Sequence, residues 1–222
     1  MKLSVITVCK NQPFIRDTCE SIAAQSAQNF QWIVVDGGST DGTLDVLNMY
    51  NRRIDNFITE PDGGIYQAMN KGIRASSGEF LIFMNGGDFF FSNDSIKKSL
   101  LCIDESADVF YGDSYRKFDN PEKDFIKTYP DTITFDFFLA NTLGHQSCFI
   151  RKDLFDRFGM YREDFKIVSD KEKWLVFMEN NVRFKKIPFC VSVYRMNGIS
   201  QNKTPELAAE KRRMFSGHGL FF

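Results

Sequence analysis

The sequence predicts an α/β fold on a mostly parallel central sheet, and three observations carry that reading. Four short apolar runs, at Leu3–Cys9, 32–35, 56–60 and 79–84, alternate with segments of helical periodicity. This alternation lays helices over both faces of a buried parallel sheet. Three of the runs lead into turns that pair glycines with a carboxylate: DGGSTDG at 36–42, PDGG at 61–64 and NGGD at 85–88. In such sheets ligands bind outside the carboxyl ends of the strands. The chain has 222 residues, 43% hydrophobic and 26% charged, enough for one soluble domain with a full core.

The elements follow in order. Leu3–Cys9 is rich in β-branched residues and reads as a buried strand. Asn11 and Pro13 open a helix with Ile15, Cys19, Ile22 and Ala23 on one face. A second buried strand covers 32–35 and ends at Asp36. The turn after it leads into a helix through Leu44 and Leu47. Residues 56–60 give a third strand, and the glycines after Asp62 lead into a helix carrying Ile65, Ala68, Met69, Gly72 and Ile73 on one face. The fourth strand, 79–84, runs into NGGD, with a helix near 92–101.

The second part is less regular. A strand is expected at 109–112, a polar loop at 117–130, a strand at 146–150 and a short helix after it. Ser169 and Glu172 have capping-box spacing at the start of a helix. Two strands, near 182–187 and 189–195, and a terminal helix at 205–214 complete the chain.

Composition excludes several function classes. The 28 basic and 29 acidic residues leave a net charge of −1, so nucleic acid is not expected as a partner. Five cysteines with no close pair argue for a reducing compartment and against a disulfide framework or a zinc cluster. The first residues turn polar too early for a signal peptide, and no apolar run is long enough to span a bilayer. A cytoplasmic protein is expected. There is no GxxxxGK[ST] loop, GxSxG elbow or HExxH pair.

The carboxylates remain. Asp36 at a strand end can accept hydrogen bonds from ribose hydroxyls or a base N–H, or it can cap the following helix. Asp62 can do the same from its own turn, and Asn70 and Lys71 follow on its helix, where they are either ligand contacts or solvated positions. Asp88 can hold a hard divalent cation whose other positions are filled by phosphate and water, or it can cap a turn. Asp170 at a helix start can cap that helix or take a proton from a substrate hydroxyl, with Glu172 as its competitor. His145 stands alone before a strand and reads as structural, and His218 has no assigned role.

In this order, SVITVCKN, VVDGGSTDGT, EPDGGIYQAMNKG, FLIFMNGGD, HQSCFIRKDLF, SDKEKW and a late GIS resemble the family-2 glycosyltransferases of the GT-A fold. The resemblance is nearest to the bacterial branch that builds capsular, exopolysaccharide or lipopolysaccharide units. It implies one domain, with a Rossmann-like nucleotide-sugar-binding half at 1–113 and a mixed acceptor-binding half with a C-terminal helix at 114–222. It implies inverting transfer from a nucleotide-diphosphate sugar, often a UDP-sugar, to a glycan or lipid-linked glycan. A lipid-linked acceptor would add peripheral contact at the inner membrane face, where the Phe-rich stretch at 135–138 and the terminal GLFF could assist. Matched by position, Asp36 and Asp62 would hold the nucleoside, Asp88 the metal, Mg2+ or Mn2+, and Asp170 would be the catalytic base. The sequence departs from the family pattern at Asn85 and Gly87, where the metal segment often carries acids, and at Ser169, where the base often has an acidic neighbour. Two other readings are a sugar nucleotidyltransferase, which needs a glycine-rich triphosphate loop that KNQPF after Cys9 does not supply, and a noncatalytic nucleotide-sugar-binding module.

Overall fold

The computed structural model describes residues 2–196 and 204–220, so the GIS segment at 198–200 and the last two residues lie outside the described residues. Strand β1 (Leu3–Cys9) sits between β2 (Gln31–Asp36) and β4 (Phe80–Phe83), with β3 (Asn56–Thr59) beyond β2. All four are parallel, with Cys9 opposite Asp36 and Asp36 opposite Thr59. Their carboxyl ends therefore share one edge.

Strands β1, β2 and β4 are buried throughout because both faces are covered. Leu3, Val5, Trp32, Val34, Phe80 and Ile82 join one core with Ile15, Cys19 and Ile22 of α1 (Ile15–Ala23). Ile6, Val8, Ile33, Val35, Leu81 and Phe83 join the other with Ala68, Met69 and Ile73 of α3 (Ile65–Ala75). Helices α2 (Thr43–Met49) and α4 (Ser95–Cys102) complete this part, and β5 (Phe89–Phe90) follows the NGGD turn.

The same sheet then continues with mixed direction to nine strands. Strand β8 (Cys148–Arg151) is antiparallel to β4, and β6 (Val109–Lys117) is antiparallel to β8. Strand β9 (Phe184–Arg195) is parallel to β6 and antiparallel to β5, and β7 (Phe125–Lys127) pairs with β6. Helices α5 (Phe135–Ala140), α6 (Asp153–Phe158), α7 (Ser169–Glu179) and α8 (Pro205–Gly217) cover it.

Three expectations are corrected. The strand expected at 109–112 runs on to Lys117, and the loop expected after it contains β7. The two strands expected around Pro188 are one. Strand β5 reaches only Ser192 and Val193, so Pro188 has no neighbour on that side demanding an N–H, and the β6 register shifts nearby. The capping box at 169–172 does not form. Val168 is the N-cap residue, no side chain caps the helix, and the fully buried Ser169 hydroxyl has no partner.

Of the Phe-rich stretch, Phe138 is fully buried and Phe135 and Phe137 pack against the core, so these rings serve packing. All five cysteines are free. Among the described residues no helix is long and apolar enough to cross a membrane.

Candidate active site

A cavity of about 890 Å³ lies over the carboxyl ends of β1 and β4. One side is formed by Val8 to Lys10, Asp62 and the turn from Asn85 to Asp88. The other is formed by residues 140–146 and 166–171, with Leu207 and Lys211 of α8.

Asp88 lies on the first side. Its turn needs glycine at position 87, where φ is +96°. Thr18 of α1 brackets the turn, accepting from the Gly87 N–H at 2.9 Å and donating to the Asp88 carbonyl at 2.7 Å. The Asp88 carboxyl accepts from the Arg195 N–H at 3.0 Å and from Gln146 Nε2 at 3.2 Å. Only 7% of the residue is exposed. Burial pushes its pKa up to about 7, opposed by the Arg195 bond and by the charges of His145, Arg116 and Arg195.

This carboxyl fits a divalent cation in one limited sense. Asp88 could supply one oxygen ligand, and among the described residues no group of three or more His, Cys, Asp or Glu could complete a site. Diphosphate and water would have to provide the remainder. A bound cation would relieve the cost of a desolvated carboxylate.

Asp170 lies on the opposite side, at the first turn of α7. Its Oδ1 accepts from the Lys171 N–H at 2.8 Å, and the Tyr66 hydroxyl lies 3.1 Å away, also donating to the Ile167 carbonyl at 2.7 Å. Burial, reinforced by Asp170, raises the Tyr66 pKa well above its usual range, so this phenol stays a neutral donor.

His145 spans the two sides, although the sequence reading treated it as structural. Its Nε2 is 2.9 Å from Asn85 Nδ2, and its Nδ1 is 3.5 Å from Asp170 Oδ2. The Asn85 amide thus abuts Nε2, and Nδ1 is the ring nitrogen that faces Asp170. Phe83 packs edge-on to the ring, with centroids 6.2 Å apart. Asn85 stands where the family often places an acid, and here it orients this histidine. The only sequence signal was a His-Gln pair directly before a strand.

Asp62 lines the cavity, and its Oδ1 accepts from the Gly64 N–H at 3.1 Å. Its carboxylate fills the space above Gly37, where an added Cβ would overlap Oδ2.

Asp36 lies at the end of β2, off the cavity wall. Its fully buried carboxylate accepts from the Gly38 and Ser39 N–H groups at 3.0 and 2.9 Å, from Thr59 Oγ1 at 2.9 Å and from the Ser39 hydroxyl. Burial alone would raise its pKa, but these bonds outweigh it and the net shift is downward. Asp36 thus builds the turn beside Asp62 and does not line the cavity.

Asn70 and Lys71 also lie off the cavity wall. The Asn70 amide donates to the Tyr161 carbonyl at 2.8 Å and Glu163 Oε1 at 2.9 Å and accepts from the Tyr161 N–H at 3.0 Å, tying α3 to the second half. Lys71 pairs with Glu60 at 2.7 Å. Glu172, the competing base, is 7% exposed, and its Oε1 is 4.0 Å from His218 Nε2, away from the cavity wall.

A family model described as "Glycosyl transferase family 2" matches residues 4–197, a span that holds Asp36, Asp62, Asp88, His145 and Asp170. The chain belongs to glycosyl transferase family 2. The chain is 30% identical over 210 residues to a teichuronic acid biosynthesis glycosyltransferase of Bacillus subtilis, covering 90% of the present chain and 82% of the relative. It is 29% identical over 174 residues to a PGL/p-HBAD biosynthesis glycosyltransferase of Mycobacterium bovis BCG, covering 75% of the chain and 66% of that relative's length. Among solved structures it resembles Staphylococcus aureus TarS in complex with UDP-GlcNAc, with a TM-score of 0.76 at 20% identity, covering 97% of the chain and 66% of TarS as crystallised. That likeness establishes the GT-A fold, with the curled nine-stranded sheet described above.

Proposed function

We propose that this glycosyltransferase moves a sugar, with inversion, from a nucleotide-diphosphate sugar to a hydroxyl of a glycan or lipid-linked glycan in bacterial polysaccharide biosynthesis. The observation that carries the reading is Asp170, a carboxyl on the cavity wall facing the strand-end turns across His145. The donor would lie over the strand ends, with its nucleoside beside Asp62. Asp36 and Asn70 act by building this surface, and Lys71 by pairing with Glu60.

The acceptor oxygen attacks the anomeric carbon as the bond to the diphosphate breaks on the opposite face. Asp170 takes the hydroxyl proton as general base. Tyr66 and the Lys171 N–H hold its Oδ1, which leaves Oδ2 directed toward His145. Asp88 would hold Mg2+ or Mn2+, which when bound neutralises charge on the leaving diphosphate. Arg195 and Arg116 line the same side and add positive charge there.

UDP with Mn2+ should raise the melting temperature, since a ligand of the native state stabilises it by mass action. The rise should shrink in Asp62→Ala. No rise with UDP, GDP or TDP would defeat the donor assignment. Gly37→Ala tests the same contact without deleting it. The new methyl must displace the Asp62 carboxylate, so UDP affinity should fall about tenfold, the value of one hydrogen bond to a charged group. Unchanged affinity by titration calorimetry would remove Asp62 from the donor site. Release of nucleoside diphosphate, screened across UDP-, GDP- and TDP-sugars, identifies the donor and separates an enzyme from a noncatalytic binding module.

A further inference from the structure

The cavity carries more positive charge than the proposed donor uses. Among the described residues seven lysines and arginines line it, against Asp62, Asp88 and Asp170. Lys10, Arg116 and Arg195 belong with the strand ends and Asp88, where a diphosphate would engage them. Lys166, Lys171 and Lys211 stand elsewhere, on the segment around Asp170 and on α8.

The acids beside the second group are Asp170 and Glu210. Glu210 of α8 is the adjacent carboxylate, but its two oxygens accept the backbone N–H groups of Lys166 and Ile167 at 2.7 and 2.9 Å. Those bonds hold α8 beside the segment before α7. Lys171 is only 9% exposed. Its ammonium donates to the Leu139 carbonyl at 3.2 Å and lies 5.2 Å from the Phe215 ring centroid. Among the described residues no carboxylate lies within ion-pair distance of Lys166, Lys171 or Lys211. Burial first, then Lys211, lowers the Lys171 pKa to about 8, with Asp170 opposing. A desolvated ammonium beside another cation is costly until an anion arrives.

We propose that Lys171, with Lys166 and Lys211, forms an oxyanion subsite for the acceptor, which carries a carboxylate or phosphate near the hydroxyl that Asp170 deprotonates. The proposal rests on the glycosyl-transfer reading for Asp170. The subsite itself requires only an anion between α7 and α8. A uronic acid and a phosphate-linked acceptor present the same chemistry to these three ammonium groups.

The test is a ligand-observed NMR titration of the full chain saturated with UDP and Mn2+-free Mg2+, using methyl glucuronide, glucose 1-phosphate and methyl glucoside as probes. Both anionic probes should bind about tenfold more tightly than methyl glucoside, the scale of one charge-assisted hydrogen bond. The tighter of the two identifies the source as carboxylate or phosphate. The preference should vanish in the Lys171→Gln, Lys211→Gln double variant while UDP affinity holds. Lys211→Gln alone, at an exposed position, should reduce it several-fold and guards against misfolding of the double variant. Equal binding of the three probes overturns the proposal, as does a parallel loss of UDP affinity, which would give these lysines to the donor diphosphate. If UDP fails to bind at all, the donor reading falls, and the same probes on the free protein still judge the subsite.

Discussion

Asp170→Asn should lower kcat by about 10²–10⁴-fold, the usual cost of losing a positioned general base. UDP affinity should stay nearly unchanged, because the defect is confined to the transition state. The substitution keeps the shape of the side chain. An amide oxygen can still accept from the Lys171 N–H and the Tyr66 hydroxyl, so α7 should start as before. What disappears is the proton acceptor on the cavity wall. A purely capping aspartate predicts the opposite pattern, with stability reduced by about 0.5–2 kcal/mol and turnover intact. Turnover and melting temperature on the same purified variant separate the two. Activity retained in Asp170→Asn and lost in Glu172→Gln would move the base, against the placement of Glu172 beside His218.

Asp88→Asn should raise the melting temperature of the ligand-free protein at pH 8 while weakening metal-assisted nucleotide binding. In the folded chain the Asp88 pKa is raised to about 7, far above its ordinary value. The folded state therefore favours the protonated acid. The stability this contributes is complete below about pH 4, the unfolded value, and is lost as pH rises through the folded value near 7. Asparagine does not ionise and escapes that loss. The variant should thus gain on the wild type as pH rises from 5 to 8, reaching about 5–10 °C. UDP with Mg2+ should narrow the gap, since a cation restores the value of the carboxylate. Calorimetry should show weak metal binding to the free protein and tighter binding once UDP is present. A melting-temperature gap that is flat with pH would mean that Asp88 is not held protonated by burial. Tight metal binding without nucleotide, unchanged in Asp88→Asn, would place the cation elsewhere.

The two halves of the chain differ in how openly local sequence reports structure. In the first half β1, β2 and β4 are buried on both faces, so each appears as a mostly apolar run, and β1, β2 and β3 are each followed by a helix. Short-range pattern was sufficient there, and it also located the edge where Asp62 and Asp88 lie. In the second half strand partners come from far along the chain. Strand β9 reads as two strands because Pro188 interrupts it, yet its pairing with β6 and the short reach of β5 make it one. Ser169 and Glu172 have the right spacing for a capping box, but Val168 precedes them as the N-cap, and the Ser169 side chain is driven into the core.

For the candidate site, residue type and spacing singled out the carboxylates, because a carboxylate after a buried strand has few reasons to be there. They could not tell which carboxylates face the cavity. Asp36 and Asp62 look equivalent along the chain, but Thr59 and Ser39 close on Asp36, whereas Asp62 lies over a glycine with open space beyond. Nor could spacing join Asn85, His145 and Asp170, which are 60 and 25 residues apart and meet because β4, the turn before β8 and the start of α7 converge. Side-chain direction at such a meeting depends on the packing of every element around it. That is why the identities of the candidate groups are local information, while their orientation, protonation and partners belong to the folded chain.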